Sequence, residues 1–184
     1  RTSWWNRLVL NKGGYNLTGE EHIPVLLEEV MSFLAPQDGD IILDGTVGAG
    51  GHSERILKEI GKNGLLLGLD RDKSILSVAD TKLAAISTTY KLLHINYRDA
   101  AKKLNNIRKG EAFDGILLDL GVSSLQLNNS KRGFSFMNDG PLDMRMNREQ
   151  RTTAEQLVNS LSERELARII KEYGEERFAR RIAR

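Results

Sequence analysis

The chain contains no cysteine, and this absence excludes disulfide bonds and metal sites built from thiolates. It also lacks any apolar run near the roughly 20 residues that a membrane-spanning helix requires. The first ten residues, RTSWWNRLVL, lack the long apolar segment of a secretory signal. Hydrophobic residues nevertheless make up 40% of the 184 positions, which is enough for a folded core and argues against wholesale disorder.

The net charge is also small, at +2, but the charges are distributed unevenly. Residues 145–184 carry ten basic and seven acidic side chains, whereas the rest of the chain carries 17 basic and 18 acidic ones. The last predicted helix presents four arginines on one face, Arg177, Arg180, Arg181 and Arg184. A charged helix face is usually only solvated. Contact with RNA is the alternative, and these arginines alone do not establish it.

A cluster of glycines follows the first predicted strand. Residues 41–43 form a short apolar run that is typical of a parallel sheet, and Asp44 closes it. The next seven positions contain four glycines, Gly45, Gly48, Gly50 and Gly51, and the chain becomes helical from about His52. A glycine turn before a helix offers free N–H groups and lets a ligand approach the backbone. We therefore expect a Cβ at Gly50 to enter the space of a ligand.

This turn lacks the signatures of two common nucleotide-binding loops. A P-loop ends in Gly-Lys-Ser/Thr, and the sequence here is Gly-Gly-His-Ser. A dinucleotide fingerprint requires a third glycine where Ser53 stands. An acidic residue followed by x-x-x-G-x-G, from Asp44 to Gly50, resembles instead the S-adenosylmethionine site of Rossmann-like methyltransferases. The alternative is an ordinary glycine-rich turn that binds nothing.

Predicted strands and helices alternate from this turn onwards. The strands cover residues 41–44, 64–70, 90–95 and 113–119, and the helices after them begin near residues 52, 72 and 97. This order predicts a parallel α/β sheet with right-handed crossovers, in which ligands bind at the carboxyl ends of the strands. Three acids end strands there, Asp44, Asp70 and Asp119. Asp70 lies 20 residues after Gly50, where an acid that binds ribose hydroxyls is expected.

Two further regions flank this alternating core. Residues 22–34 predict a helix with Pro24 in its first turn, where proline is tolerated. Residues 120–147 are polar and irregular, with Phe and Met among Arg, Asn and Asp, and favour a loop that receives a ligand. A flexible linker is the alternative. Residues 153–184 predict short helices, one of them capped by Ser162 and Glu165.

Seven segments of the chain resemble the MraW/RsmH family of ribosomal RNA methyltransferases. They occur in the order of the family: HIPVLLEEV, DGTVGAGGHS, LDRD, DGILLDLGVSS, RGFSF, DGPLDMRM and YGEERFARRIAR. The resemblance runs over residues 22–184, and the last two segments are the most specific. It implies a Rossmann-like methyltransferase sheet with helices on both faces, followed by the start of an inserted helical subdomain. The family looks longer than this chain, so we expect the sheet to lack its later strands.

The resemblance also implies a function and a set of site residues. The family uses S-adenosylmethionine to methylate the exocyclic N4 of a cytosine in small-subunit ribosomal RNA, at the decoding centre. Its cofactor contacts correspond here to Gly50, Gly51, His52, Asp70, Tyr97, Asp119 and Gln126, and no metal site is implied. Tyr97 is expected to flank the adenine, and Gln126 to supply a hydrogen bond.

The catalytic group is less clearly indicated. Many amino-methyltransferases carry Asp/Asn-Pro-Pro-aromatic after the fourth strand, and this chain carries Asp119-Leu120-Gly121-Val122. Asp119 retains an acceptor for the hydrogens of the amine, so it is the candidate catalytic residue. Stacking on the target base from Phe134 or Phe136 is a hypothesis, and core packing of these rings is the alternative. The target base must be unstacked to react, which suits single-stranded or looped RNA.

These predictions divide the chain into three regions. Residues 1–21 form a lead-in, residues 22–127 a cofactor-binding core with an incomplete sheet, and residues 128–184 a loop and helical region that recognises the substrate. Ribosomal RNA of the small subunit is the expected partner. We expect a cytoplasmic location, with the mitochondrial matrix or plastid stroma as alternatives. Two other functions stay open. One is an NAD-dependent oxidoreductase, but Ser53 stands where its fingerprint requires glycine. The other is a non-catalytic ribosome-assembly factor that binds S-adenosylmethionine or RNA.

Overall fold

The computed structural model describes residues 24–108 and 112–184, so the predicted lead-in at residues 1–21 lies outside the described residues. The strands are β1 (Ile41–Asp44), β2 (Leu65–Asp70), β3 (Tyr90–His94) and β4 (Gly115–Leu117). The α-helices are α1 (Leu27–Leu34), α2 (Gly51–Ile60), α3 (Lys73–Ala84), α4 (Ala100–Arg108), α5 (Ser124–Asn128), α6 (Ala154–Ser160), α7 (Glu163–Gly174) and α8 (Ala179–Ala183). Short 3-10 turns cover Tyr97–Asp99 and Ser130–Arg132.

The four strands form one parallel sheet in the order β3-β2-β1-β4. Strand β1 lies inside the sheet, where Leu43 is in register with Leu67 of β2 and Ile116 of β4. This arrangement confirms the predicted parallel α/β sheet. In a parallel sheet every strand ends at the same edge, so the loops that follow β1, β2, β3 and β4 meet there.

Side chains of the inner strands alternate between two apolar layers, because successive residues of a strand point to opposite faces. Ile42 and Leu66 pack with residues of α1, α2 and α3, namely Met31, Ile56, Leu57, Ile60 and Leu83. Leu43, Leu67 and Leu69 pack on the other face with Ala100 and Leu104 of α4. The helices therefore cover both faces of the sheet, as predicted.

Three boundaries differ from the sequence prediction by more than one residue or in the type of helix. Helix α1 begins at Leu27 rather than at residue 22, because Leu26 has a left-handed φ of 55° that a right-handed helix cannot continue. Strand β4 covers only Gly115–Leu117, so Asp119 lies two residues beyond its end. The helix predicted from residue 97 starts as a 3-10 turn, in which the Asn96 side chain accepts a hydrogen bond from the N–H of Arg98.

The second half of the described chain is helical and irregular. Residues 120–147 contain α5, whose start is a capping box made by Ser123 and Gln126. The predicted capping box of Ser162 and Glu165 opens α7. No helix among residues 24–108 and 112–184 is both long and apolar enough to cross a membrane. That residues 128–184 form the start of an inserted subdomain stays a prediction.

Candidate functional site

The turn between β1 and α2 forms the centre of the candidate site. Gly48 and Gly50 have φ angles of 55° and 85°, in the left-handed region that glycine enters without steric cost. The N–H of Gly50 donates to the carbonyl of Val47 over 2.9 Å and closes the turn. The N–H of Val47 donates to the carbonyl of Leu69 over 3.0 Å. The turn is therefore fixed against the end of β2.

The glycines of this turn allow close packing inside the chain. A Cβ at Gly50 would lie 3.4 Å from both Cα and Cβ of Ala79 in α3, so our expectation that it would enter the ligand space was wrong. A Cβ at Gly45 would lie 2.5 Å from a Cδ atom of Leu118, and one at Gly51 would overlap the ring of Pro24. Contact of a cofactor with the backbone of Gly50 and Gly51 stays a prediction.

Asp44 is buried in the structure and holds the turn to the helix after it. Its side chain is 1% exposed, and its carboxylate accepts hydrogen bonds from the hydroxyl of Ser53 at 2.6 Å and the N–H of Thr46 at 3.0 Å. Burial raises the pKa of Asp44, although these hydrogen bonds oppose the rise. Ser53 stands where a dinucleotide fingerprint has glycine, and its hydroxyl serves here to bind the buried Asp44 carboxylate. Asp44 supports the site without facing solvent.

Asp70 is half-buried and contacts the turn directly. One carboxylate oxygen accepts the N–H of Gly48 at 2.9 Å, and the other accepts the N–H of Asp72 at 2.8 Å. Burial raises the pKa of Asp70, and the same backbone hydrogen bonds lower it in part. Each carboxylate oxygen has a second lone pair, so both can also accept hydrogen bonds from a ribose. The carboxylate fixes the turn and stays available to a ligand.

Asp119 and His52 meet at the same edge. The N–H of Asp119 donates to the hydroxyl of Thr46 over 2.7 Å, which ties the loop after β4 to the turn. The Asp119 side chain is 56% exposed, and one of its oxygens lies 3.8 Å from Nδ1 of the buried His52. His52 Nε2 lies 3.1 Å from the carbonyl of Val25. Because a carbonyl only accepts, Nε2 carries the hydrogen, and Nδ1 faces Asp119.

The two remaining predicted residues lie in different surroundings. Tyr97 is exposed in the 3-10 turn after β3, and its Cβ would be 3.4 Å from a Cβ placed on Gly45. The Gln126 side chain is buried, its oxygen accepts the N–H of Ser123 at 3.0 Å, and its amide donates to Asp72 at 2.9 Å. One N–H of the Gln126 amide is left for a ligand, so its cofactor contact stays a prediction.

Sequence reasoning missed the connections made by Thr46, Asp72 and Arg132. Position 72 was predicted only as the start of a helix, which Asp72 caps, and Arg132 was noted only as part of a motif. Arg132 donates to Asp72 over 2.7 Å in the interior of the protein. Both residues lie in segments that carry the family resemblance, LDRD and RGFSF, and this was the signal available in the sequence.

The described residues fit S-adenosylmethionine by their chemistry. Asp70 provides an acceptor for ribose hydroxyls beside the glycine turn, as strand-end acids of this fold do. Asp119 provides an exposed negative charge for a cationic ligand, and Tyr97 an exposed ring for a purine. Asp70 ends β2, and Asp119 and Tyr97 follow β4 and β3, so all three lie at the carboxyl edge of the sheet. The arrangement can bind a nucleoside that carries a positive charge.

Comparisons with known proteins agree with this assignment. The profile of the MraW methylase family matches residues 19–184. A ribosomal RNA small subunit methyltransferase H from Syntrophotalea carbinolica is 52% identical over 164 residues, which are 89% of this chain and 52% of that protein. The protein of the same name from Thermotoga neapolitana is 51% identical over 164 residues, 89% of this chain and 54% of its own length. The chain thus spans about half the length of the curated relatives it matches.

Similarity to solved structures is weaker. Fibrillarin from Aeropyrum pernix, solved with S-adenosyl-L-methionine, is 18% identical, with a TM-score of 0.42 over 50% of this chain and 38% of that one. A score of this size supports no inference about the ligand. The assignment therefore depends on the residues at the sheet edge and on the sequence relatives.

Replacing Gly50 with alanine is expected to destabilise the fold by about 1–2 kcal/mol, because an L-residue is strained at a φ of 85°, although its Cβ would only contact Ala79 at 3.4 Å. Affinity for S-adenosylmethionine in the folded protein should change less than about threefold, since the Cβ points to α3. Urea unfolding and calorimetry measure the two effects. Gly174→Ala is the control, because no atom lies within 4 Å of a Cβ there. A folded Gly50→Ala protein with normal stability and no binding would contradict this account.

Asp70→Ala is expected to weaken binding of S-adenosylmethionine by roughly 1.5–3 kcal/mol, because a charged acceptor is lost from a formed site. Asp70→Asn should lose less, because the amide oxygen can still accept one hydrogen bond. Isothermal calorimetry on a full-length protein measures both affinities, with the exposed Asp139→Ala as the control. Unchanged affinity in Asp70→Ala would remove Asp70 from the site.

Proposed function

Because the chain belongs to the MraW methylase family, we propose that the protein containing it is an S-adenosylmethionine-dependent methyltransferase of small-subunit ribosomal RNA. We further propose that the methyl acceptor is the exocyclic N4 of a cytosine at the decoding centre. The observation that carries the proposal is the convergence of Asp70, Asp119 and Tyr97 beside one glycine turn. The relatives add the substrate class through the name ribosomal RNA small subunit methyltransferase H.

Three residues have proposed roles in holding the cofactor. The carboxylate of Asp70 accepts the ribose hydroxyls, while its hydrogen bond from Gly48 keeps the turn in the binding conformation. The exposed ring of Tyr97 flanks the adenine. The negative charge of Asp119 favours the cationic part of the cofactor, which supplies a methyl group on a positively charged sulfur. Transfer would require the acceptor nitrogen to lie close to this methyl group and in line with the sulfur–carbon bond that breaks.

Asp119 is also the proposed acceptor for the amine of the target base. The exocyclic nitrogen of cytosine is a weak nucleophile because its lone pair is delocalised into the ring. A carboxylate that accepts one N–H hydrogen bond orients the amine and offsets its growing positive charge. Asp119 is suited to this role because its backbone is fixed by Thr46 and its side chain is 56% exposed.

Stacking of the target base is better supported for Phe136 than for Phe134. The Phe134 ring is half-buried and lies under the guanidinium of Arg132, at 5.9 Å from the ring centroid. The Phe136 side chain is 89% exposed on the loop after Arg132. An exposed aromatic ring is the usual platform for an unstacked base in single-stranded RNA.

A methyl-transfer assay with a full-length protein tests the proposal. Wild-type protein should transfer a labelled methyl group from S-adenosylmethionine to small-subunit RNA, and mass spectrometry should find it on N4 of a cytosine. Asp119→Ala should lower kcat by at least about 100-fold, as loss of a proton acceptor does, and Asp139→Ala should not. Cofactor binding without transfer to any ribosomal RNA would overturn the proposal in favour of a non-catalytic assembly factor. A methyl group on another atom would overturn the N4 assignment.

The C-terminal arginines are proposed to contact RNA phosphates. Glutamates near these arginines could pair with them instead, but Glu172 accepts from Arg168 at 2.7 Å. Within the described part of the chain, no carboxylate lies within 4 Å of three of these guanidinium groups, those of Arg177, Arg180 and Arg181. The guanidinium of Arg177 lies 4.6 Å from the ring centroid of Phe178 instead. Charges without acidic partners are available to an anionic backbone.

Replacing Arg177 and Arg180 with glutamine is expected to lower RNA affinity and to flatten the log–log salt slope by roughly 1–2 units, because fewer counterions are released. Affinity for S-adenosylmethionine should stay unchanged, since the cofactor residues lie at the sheet edge. The control removes two basic charges that already have acidic partners, with Arg55→Gln and Lys58→Gln in α2. Titration of small subunits across a salt series measures the slopes. Equal slopes for the two double variants and the wild type would show that these arginines are only solvated.

A further inference from the structure

A buried ion pair joins α3 to the loop that follows α5. Nη2 of Arg132 lies 2.7 Å from Oδ2 of Asp72, and the two side chains are 6% and 2% exposed. The pair spans 60 positions of sequence. It lies beside the candidate cofactor site, because the N–H of Asp72 donates to the carboxylate of Asp70 over 2.8 Å.

The carboxylate of Asp72 is fully occupied by donors. One oxygen accepts the N–H of Ser74 at 3.1 Å and its hydroxyl at 2.6 Å, which caps helix α3. The other oxygen accepts the side chains of Gln126 at 2.9 Å and Arg132 at 2.7 Å. Burial acts to raise the pKa of Asp72, but the hydrogen bonds and the charge of Arg132 outweigh it, and the pKa lies below the ordinary value. Asp72 is therefore ionised at neutral pH.

Arg132 holds both ends of one loop, formed by residues 133–146. Its guanidinium donates to the carbonyls of Arg145 and Met146, each over 3.0 Å, at the far end of this loop. Its own carbonyl accepts the N–H of Met144 at 3.0 Å. One side chain thus closes the base of the loop and attaches it to Asp72. The exposed Phe136 lies on this loop.

A buried ion pair is a poor means of stabilising a fold, because the loss of hydration offsets most of the attraction. What the fork of an arginine provides is geometry, since its donors are held in one plane. Here Nη2 lies within hydrogen-bond distance of one carboxylate and two carbonyls from two separate segments, so its two hydrogens are shared among three acceptors, and Nη1 donates to the hydroxyl of Ser74 over 3.4 Å. The arrangement specifies where the 133–146 loop lies relative to Asp70.

We propose that Arg132 is a positioning residue, which holds the 133–146 loop against Asp72. Phe136 on this loop then receives an unstacked RNA base at a fixed place beside the cofactor site at the carboxyl edge of the sheet. This inference rests on the proposed methyl transfer to RNA, and it adds the loop and the residue that orients it. Arg132 acts through Asp72 and the loop, so contact with the reacting atoms is not required.

The experiment uses a full-length protein with four variants. Arg132→Met removes the charge and all the guanidinium donors, and Arg132→Lys keeps a charge that can reach Asp72 without the fork. The double variant Asp72→Asn, Arg132→Met removes both charges, and asparagine still caps α3. Because no unpaired charge is left in the interior, this variant separates the loss of positioning from simple misfolding. Lys131→Met is the control, because it removes one charge from an exposed neighbour.

Kinetics separate positioning from a general loss of structure. Arg132→Met and the double variant should lower kcat/KM for RNA at least about tenfold, as misplacement of a substrate group does, while the Kd for S-adenosylmethionine stays within threefold. Arg132→Lys should be intermediate, and Lys131→Met should match the wild type. A loss of cofactor binding in proportion to the loss of RNA methylation, with a lowered Tm, would show a merely structural role and overturn the proposal.

Hydrogen exchange tests the loop independently of catalysis. Amides of residues 133–146 should exchange at least about tenfold faster in the double variant, while amides of β1 and β2 keep their protection. Unchanged exchange and unchanged RNA kinetics in the folded double variant would contradict the positioning role. If the wild type transfers no methyl group to RNA, the proposed function fails, and the exchange rates still decide whether Arg132 fixes the loop.

Discussion

Parallel pairing of β1 with β2 and with β4, and of β2 with β3, determines which strand ends meet at the candidate site. Backbone hydrogen bonds continue this pairing past the strand ends, from Val47 to Leu69 and from Gly45 to Leu117. The turn after β1 is therefore held from both sides. Because parallel strands end at one edge, Asp70 and Asp119 arrive beside the same turn although 49 positions separate them in the sequence.

Burial gives chemically similar acids different functions at this edge. Asp44 and Asp72 are almost fully buried, and both oxygens of each carboxylate accept hydrogen bonds from the chain itself, so they fix the turn, the helices and the loop. Asp70 is half-buried and shares its oxygens with two backbone N–H groups. Asp119 is exposed and keeps its carboxylate for a ligand. Buried polar groups need partners, and the residues that have spare acceptors are the ones left for chemistry.

The sequence predicted the sheet because β1 and β2 are short apolar runs that are buried on both faces, while the outer strands β3 and β4 are only partly buried. It predicted helix starts where a capping side chain signals them, as Ser162 does, and it failed at Leu27, where a left-handed residue sets the boundary. The turn and Asp70 were predicted from local spacing. The direction in which a Cβ at Gly50 would point was not predicted correctly, because it depends on how α3 packs against the turn. The pairing of Asp72 with Arg132 is a contact over 60 positions, which no local periodicity encodes.

A crystal structure of a full-length protein with S-adenosylmethionine tests most directly that the carboxyl edge of this sheet is the cofactor site. The account predicts both ribose hydroxyls within about 3.2 Å of the Asp70 carboxylate. It also predicts that the ring of Tyr97 lies beside the adenine. The ion pair between Arg132 and Asp72 should remain formed next to Asp70. A cofactor whose ribose lies away from Asp70, or which binds outside the glycine turn, would contradict it.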